Sequence, residues 1–254
     1  MKSTVIIASS EEVFYQRAAQ LMLESVVAAA AERQFASVAL SGGSTPKKLY
    51  QLLSEPYFKS RMPWNQIKFF WSDERCVPSN HPESNYKGAM DGVLAKIPVP
   101  AKNIFRIKGE MESPADAAKA YEQELRLQLK THEPFPKFDL ITLGVGEDGH
   151  TASLFSGSAA LKEKLHWVAA NHVEKLNASR VTLTFPVINN ARRVLVLCAG
   201  ENKATVIKDI FSEHVPLRYP AQQINPVNGE LVWLLDKGAA AKLPASVSLV
   251  ASHI

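Results

Sequence analysis

Ser37-Val-Ala-Leu-Ser-Gly-Gly-Ser-Thr-Pro-Lys-Lys-Leu-Tyr-Gln-Leu-Leu53 passes from a short apolar run, through a glycine turn, into a helical pattern. Pro46 is placed to begin a helix over Lys47 to Leu53, because its fixed φ suits the first turn and its missing N–H costs nothing there. Outward from this unit the same alternation recurs. Short β-rich runs stand at Thr4 to Ala8, Ser37 to Leu40, Ile67 to Trp71, Asp139 to Leu143, Val181 to Thr184, Val194 to Cys198 and Leu231 to Leu235. Most are continuously apolar, as strands covered on both faces should be. Between them, Glu11 to Arg33 carries a broad apolar stripe at helical spacing, Ser113-Pro114 caps a helix to about Lys130, and Asn202 to Phe211 is periodic again. The alternation predicts the α/β class, a mostly parallel sheet with helices on both faces. One domain over residues 1–254 accommodates it, with room for a small inserted lobe around residues 78–135.

The chain has 254 residues, 46% hydrophobic and 21% charged, enough for one substantial core. Its 29 basic and 25 acidic residues give a net charge of +4 without a basic block or an aromatic-basic ladder, which argues against a nucleic-acid partner. Cys76 and Cys198 are too few for a disulfide framework and lack metal-type spacing, which fits a reducing compartment. The short apolar run Val5 to Ala8, followed by Glu11 and Glu12, matches neither a signal-peptide core nor a membrane span. The expectation is a cytoplasmic protein, monomeric or homodimeric, with a small-molecule ligand.

In open α/β sheets ligands gather beyond the carboxyl ends of the strands, so the loops after strands are where chemistry is sought. Ser41-Gly-Gly-Ser-Thr-Pro46 has an anion-binding shape. Gly42 and Gly43 let backbone approach a ligand, amides open the helix, and the Ser44 and Thr45 hydroxyls add donors. It is not a Walker loop, because the Gly-Lys-Ser/Thr ending is missing. Trp71-Ser-Asp-Glu-Arg75 puts a charge cluster at the end of an apolar strand, where burial demands pairing or a ligand. Arg75 can polarise a carbonyl or steady an oxyanion, and Asp73 can orient hydroxyls or act as a base; the plainer alternative is an Asp-Arg or Glu-Arg ion pair closing the loop. In Ser84-Asn-Tyr86, Asn85 reads as a helix cap rather than a ligand.

Gly144-Val-Gly146-Glu-Asp-Gly149-His150 literally satisfies the Gly-x-Gly-x-x-Gly dinucleotide fingerprint, with Glu174 at roughly the required distance. The fingerprint normally follows the first strand of the fold, and the neighbourhood of Glu174 has no strand end, so the glycines are read instead as aiming Asp148 and His150 into a cleft. A histidine with an unperturbed pKa near about 6.5 can take a proton from water at neutral pH, which suits an ester or lactone. His81, His132, His166, His172, His214 and His253 lack such a setting and read as surface or packing residues. No second histidine stands at metal-ligand spacing from His150.

Taken together, Ser41-Gly-Gly-Ser-Thr-Pro46, Trp71-Ser-Asp-Glu-Arg75, Ser84-Asn-Tyr86, the run Gly144 to Phe155, Arg180-Val-Thr-Leu-Thr184 and Lys203-Ala204 closely resemble the 6-phosphogluconolactonase family over most of the chain. The resemblance implies a modified Rossmann-like α/β fold shared with glucosamine-6-phosphate deaminases and ribose-5-phosphate isomerases. It implies hydrolysis of a phosphorylated sugar lactone in the oxidative pentose phosphate pathway, with no metal or organic cofactor. Gly43, Ser44, Thr45, Arg180 and Lys203 would hold the phosphate, His150 would activate water, and Asp148 and Arg75 would lie close to the sugar ring. Asp148 either orients the imidazole or grips a sugar hydroxyl. The rival readings are a sugar-phosphate deaminase or isomerase using Asp73 as base, against which Arg75 and Phe155 stand where deaminases have tyrosine and glutamate, and a non-catalytic sugar-phosphate sensor.

Overall fold

The computed structural model describes residues 3–212 and 216–248. β1 (Thr4–Ile7) runs into α1 (Glu11–Arg33), whose start is fixed by the Ser10 hydroxyl accepting from the Val13 amide at 3.2 Å and by Glu11 and Glu12 in the first turn. Gln34, in the left-handed region at φ 67°, ends it and returns the chain to β2 (Ala36–Leu40). Then come α2 (Ser44–Leu53), α3 (Pro56–Lys59), β3 (Ile67–Trp71) and the short β4 (Asp73–Arg75). They are followed by α4 (Asn85–Gly92), α5 (Pro114–Leu129) and β5 (Leu140–Leu143). The last third is β6 (Val168–Val173), β7 (Ala178–Leu183), α6 (Phe185–Ile188), β8 (Arg193–Cys198), α7 (Ala204–Ile210) and β9 (Glu230–Leu235).

Six strands form one sheet in the order β1-β9-β8-β5-β2-β3, and every pairing in it is parallel. Such strands are buried on both faces, which is why their sequences are apolar without alternation. The crossovers from β1 to β2 and from β2 to β3 move one way along the sheet; those from β3 to β5, β8 and β9 move the other. Right-handed connections therefore place α1 and α2 on one face and the later helices on the opposite face. The reversal falls between β2 and β5, the switch point at which such sheets open a crevice.

Of the strands expected in that sheet, Val181 to Thr184 goes elsewhere. It belongs to β7, which with β4 and β6 forms a separate antiparallel sheet. β4 is Asp-Glu-Arg, with no apolar residue to mark it, and β6 interrupts its short Val-Ala-Ala run with Asn-His; their pairing with β7 is set by tertiary packing. Ala89, Val93, Leu94, Ala117, Tyr121 and Leu125, from residues 78–135, pack into the same hydrophobic core as the central strands. No helix among the described residues is long and apolar enough to cross a membrane.

Two polar groups tie β2 to β5. At the amino end the buried Asp139 carboxylate accepts from the Ser37 amide at 2.8 Å, the Ser37 hydroxyl at 2.9 Å and Arg33 Nη2 at 2.7 Å. At the carboxyl end Thr142 Oγ1 accepts from the Ser41 amide at 3.1 Å while donating to the Ala39 carbonyl at 3.1 Å. Between them lies densely packed apolar sheet. Leu195, at mid-strand in β8, is fully buried, so Leu195→Ala is expected to remove about 2–5 kcal/mol of stability. Urea unfolding followed by circular dichroism should show a lower midpoint with an unchanged m-value.

Candidate active site

The carboxyl ends of β2, β3, β5 and β8 converge on a cavity of about 230 Å³ at the switch point. Ser41 to Pro46 line it from β2, Asp73 and Arg75 from β4, Gly144, Val145, Gly146, His150 and Ala152 from β5, and Leu197, Cys198, Ala199 and Lys203 from β8. Of the expected site residues, Gly42, Gly43, Ser44, Thr45, Asp73, Arg75, His150 and Lys203 are on its wall. Asp148 and Arg180 are not: Asp148 stands behind His150, and Arg180 lines an adjoining cavity with Cys76 and Glu83. Arg180 is nevertheless the direct cross-strand partner of Arg75, so the two guanidinium side chains leave one face of the small sheet together.

Gly43 caps α2 with φ 107°, a conformation open to glycine, and the amides of Ser44 and Thr45 belong to the first helical turn, where no intrahelical acceptor exists. Gly42 is needed for a different reason: a Cβ there would lie 1.8 Å from Asn85 Oδ1. Asn85 is not a cap. Ser84 is, accepting from the Lys87 amide at 3.2 Å, and Asn85 is the first helical residue of α4, buried on the cavity wall. Its Nδ2 donates to the Asp73 carbonyl at 2.9 Å and lies 3.3 Å from Asp73 Oδ1.

The charge cluster after β3 forms no Asp-Arg or Glu-Arg ion pair. Glu74 is buried and accepts from the amides of Arg75, Asn85 and Tyr86 and from the Ser84 hydroxyl, at 2.7–3.0 Å. It is a carboxylate cap for α4, and burial raises its pKa against the pull of those amides. Arg75 Nη1 donates to the Glu83 carbonyl. Asp73 receives the Ser153 hydroxyl on Oδ2 at 2.6 Å, which links the β4 loop to the histidine loop.

That loop does not open a helix. After β5 the Gly149 amide bonds the Gly146 carbonyl at 2.9 Å, the Gly146 amide bonds the His150 carbonyl at 2.9 Å, and the chain turns back on itself. The dinucleotide fingerprint is therefore literal only, because its pyrophosphate site is a helix N-terminus. Glu174 sits in the β6–β7 hairpin, away from the parallel sheet. Gly146 is instead a point of close approach: a Cβ there would meet His150 Nδ1 at 2.1 Å and Asp148 Oδ1 at 2.6 Å.

His150 Nδ1 is 2.5 Å from Asp148 Oδ1, and its ring stacks on Phe155 with centroids 4.1 Å apart and planes at 22°. An ionised carboxylate only accepts, so Nδ1 carries the proton and Nε2 keeps a free lone pair. Burial pushes the imidazole down to about 4; Lys203, Arg75 and Arg180 push the same way and Asp73 pulls up. Asp148, in contact with Nδ1, favours the protonated ring, but burial is the larger effect and leaves the ring neutral at neutral pH. His81, His132, His166 and His172 do not line the cavity, and His214 and His253 lie outside the described residues.

Nothing local in the sequence marks Asn85, Ser153, Cys198 or Ala199 as part of the site. Ser153 lay within the histidine motif, but its partner Asp73 is 80 positions away, and nothing local signals the contact. Cys198 and Ala199 were visible only as a strand end. Burial raises the Cys198 thiol to about 12, so it enters the wall as a small apolar group.

A glycine turn opening α2, Arg75 and Lys203 on the wall with Arg180 beside Arg75, and a carboxylate-held histidine at the switch point of a parallel sheet define an α/β protein with a polar small-molecule site. The family described as glucosamine-6-phosphate isomerases/6-phosphogluconolactonase matches residues 9–233. A 6-phosphogluconolactonase from Synechocystis sp. is 38% identical over 245 residues, covering 96% of this chain and 99% of its own length. One from Nostoc sp. is 36% identical with the same coverage of each. The structure of 6-phosphogluconolactonase from Trypanosoma cruzi aligns with a TM-score of 0.86 at 32% identity, over 96% of this chain and 98% of that one. The chain belongs to the glucosamine-6-phosphate isomerase/6-phosphogluconolactonase family.

A folded-state histidine below its unfolded value binds fewer protons than the unfolded chain between the two, so its neutral form stabilises the fold above about pH 6.5 and this contribution is lost as pH falls toward about 4. Imidazole resonances of His150 followed by NMR should titrate well below the ordinary histidine value of about 6.5, and a midpoint at or above it contradicts the burial.

Proposed function

We propose that this protein hydrolyses 6-phospho-D-glucono-1,5-lactone to 6-phospho-D-gluconate, the lactone step of the oxidative pentose phosphate pathway, with His150 activating the water. The observation that carries the reading is His150, held through Nδ1 by Asp148 at 2.5 Å, on the wall of a cavity that the Gly42 to Thr45 loop also lines. The relatives named 6-phosphogluconolactonase support the same substrate.

The Ser44 and Thr45 amides and hydroxyls, Lys203 and Arg180 hold the substrate phosphate, which fixes the lactone ring relative to His150. Nε2 takes a proton from water as its oxygen attacks C1. Asp148 stabilises the imidazolium that forms, which restores the basicity that burial removes. Arg75 faces the developing oxyanion. Collapse of the tetrahedral intermediate breaks the bond from C1 to the ring oxygen, and the imidazolium returns its proton to that oxygen. These side chains supply every step, so the reaction needs no metal or organic cofactor. Asp73 orients sugar hydroxyls; its Oδ2 is engaged by Ser153, an arrangement suited to a fixed acceptor more than to a base taking protons from carbon. The free thiols of Cys76 and Cys198 accord with a cytoplasmic setting.

Consumption of freshly made lactone, measured above its spontaneous hydrolysis, tests the reading. Wild type should accelerate it, and His150→Ala should lose about 10²–10⁴-fold in kcat/KM. No acceleration by wild type sinks the lactonase reading, whereas an undiminished His150→Ala sinks only the role of the histidine. Lys203→Ala and Arg180→Ala each remove a charge-assisted contact and should weaken the phosphorylated substrate by about 10–100-fold, chiefly in KM. An equal loss toward an unphosphorylated lactone would contradict the phosphate anchor.

A further inference from the structure

Lys175 stands at the tip of the β6–β7 hairpin, in the turn Glu174–Leu176. It has no place in the anion-binding wall, yet its Nζ pairs with Asp148 Oδ2, the oxygen that His150 does not use. The same ammonium lies 4.8 Å from the centroid of the Phe155 ring, and that ring stacks on His150 at 4.1 Å. Lys175, Asp148, His150 and Phe155 thus close a circuit: ion pair, hydrogen bond, ring stack and cation–π contact. Asp73 and Arg75 from β4, Arg180 from β7 and Lys203 after β8 also act on the imidazole. Among the described residues, Lys175 is the one lysine or arginine paired with Asp148.

We propose that Lys175 is a positioning residue that holds the Asp148 carboxylate with Oδ1 turned to His150, so that the imidazole keeps its proton on Nδ1 and presents Nε2 to water. The proposal rests on the lactonase reading for its kinetic consequence but not for its structural one. Asp148 is in a glycine-flanked turn and its side chain is more than one third exposed. Without a second partner its carboxylate can rotate into water, where solvation competes well with one neutral imidazole N–H. With Oδ2 held, only one rotamer satisfies both oxygens. Phe155 adds direction, because its face attracts the ammonium and its other contact is the ring that must be oriented. An ion pair this exposed adds little to folding stability, so its removal leaves the fold standing and exposes the positioning role.

The test uses the full chain with Lys175→Met, which keeps an apolar stem of similar length over Phe155, and Lys175→Arg, which keeps the charge. ¹⁵N shifts of the His150 imidazole at neutral pH report which nitrogen carries the proton, with no substrate present. Wild type and Lys175→Arg are expected to hold the proton on Nδ1, and Lys175→Met to populate the Nε2–H tautomer. On the lactone, Lys175→Met should lose about tenfold in kcat with KM within about twofold of wild type, and Lys175→Arg should recover most of it. An unchanged tautomer in Lys175→Met overturns the proposal, and so does a loss confined to KM, which would make Lys175 a substrate ligand. If wild type hydrolyses no lactone, the functional reading falls while the tautomer measurement still decides the role of Lys175.

Discussion

Backbone pairing between β2 and β5 extends only from Val38 opposite Leu140 to Ala39 opposite Ile141, and then the two strands part. Where the ladder stops, the Thr142 hydroxyl takes over, receiving the Ser41 amide and donating to the Ala39 carbonyl. Tyr50, on α2, adds its hydroxyl to the Ser41 carbonyl at 2.5 Å. The divergence makes the crevice, and these bonds keep its lip from fraying. Both the anion loop and the histidine loop leave the sheet within two or three residues of Thr142, so their separation is set by one side chain and not by two independent turns. A hydroxyl can do this where a ladder cannot, because it satisfies a donor and an acceptor from one strand without drawing the backbones together.

The electrostatics of the cavity follow from what fills it. Arg75, Arg180 and Lys203 surround a histidine that burial already keeps neutral, and each pushes its proton affinity further down. Arg180 is itself disfavoured as a cation, first by burial and then by Arg75 beside it. Cations gathered this closely repel one another, a cost that an anion among them would offset. On the proposed reading, a phosphate seated there would offset the three cations and thereby strengthen the imidazole as a base. Anchoring of the remote group and activation of the water would then be coupled through charge.

How much of this the chain reveals in one dimension depends on whether the partners are local. Continuous apolar runs such as Ile67 to Trp71 and the caps of α1 and α5 are local, and the parallel sheet and its helices are legible from them. The small antiparallel sheet is not, since Asp73, Glu74 and Arg75 form a strand only because β7 offers a partner more than 100 positions away. The same divide runs through the site. Gly42 to Thr45 and His150 announce themselves by composition, but Asn85 reads as a cap until Gly42 is seen beneath it. Glu74 reads as half of an ion pair until three amides and a hydroxyl are found on it.

The glycine run of the histidine loop shows why a motif alone cannot separate two chemistries. A pyrophosphate and a folded-back imidazole make the same demand on the chain, a backbone with no Cβ at the point of approach. In a dinucleotide site the space goes to a ligand and the next turn is the start of a helix, whose amides complete the anion site. Here the space beside Gly146 is taken by the chain's own His150 and Asp148, and the Gly149 amide is consumed by the Gly146 carbonyl. With its amide donor spent internally, the loop has less to offer an anion and presents a side chain instead. On the proposed reading phosphate recognition falls to the other loop, at the start of α2, and the two functions of the site would lie on opposite sides of the parting between β2 and β5.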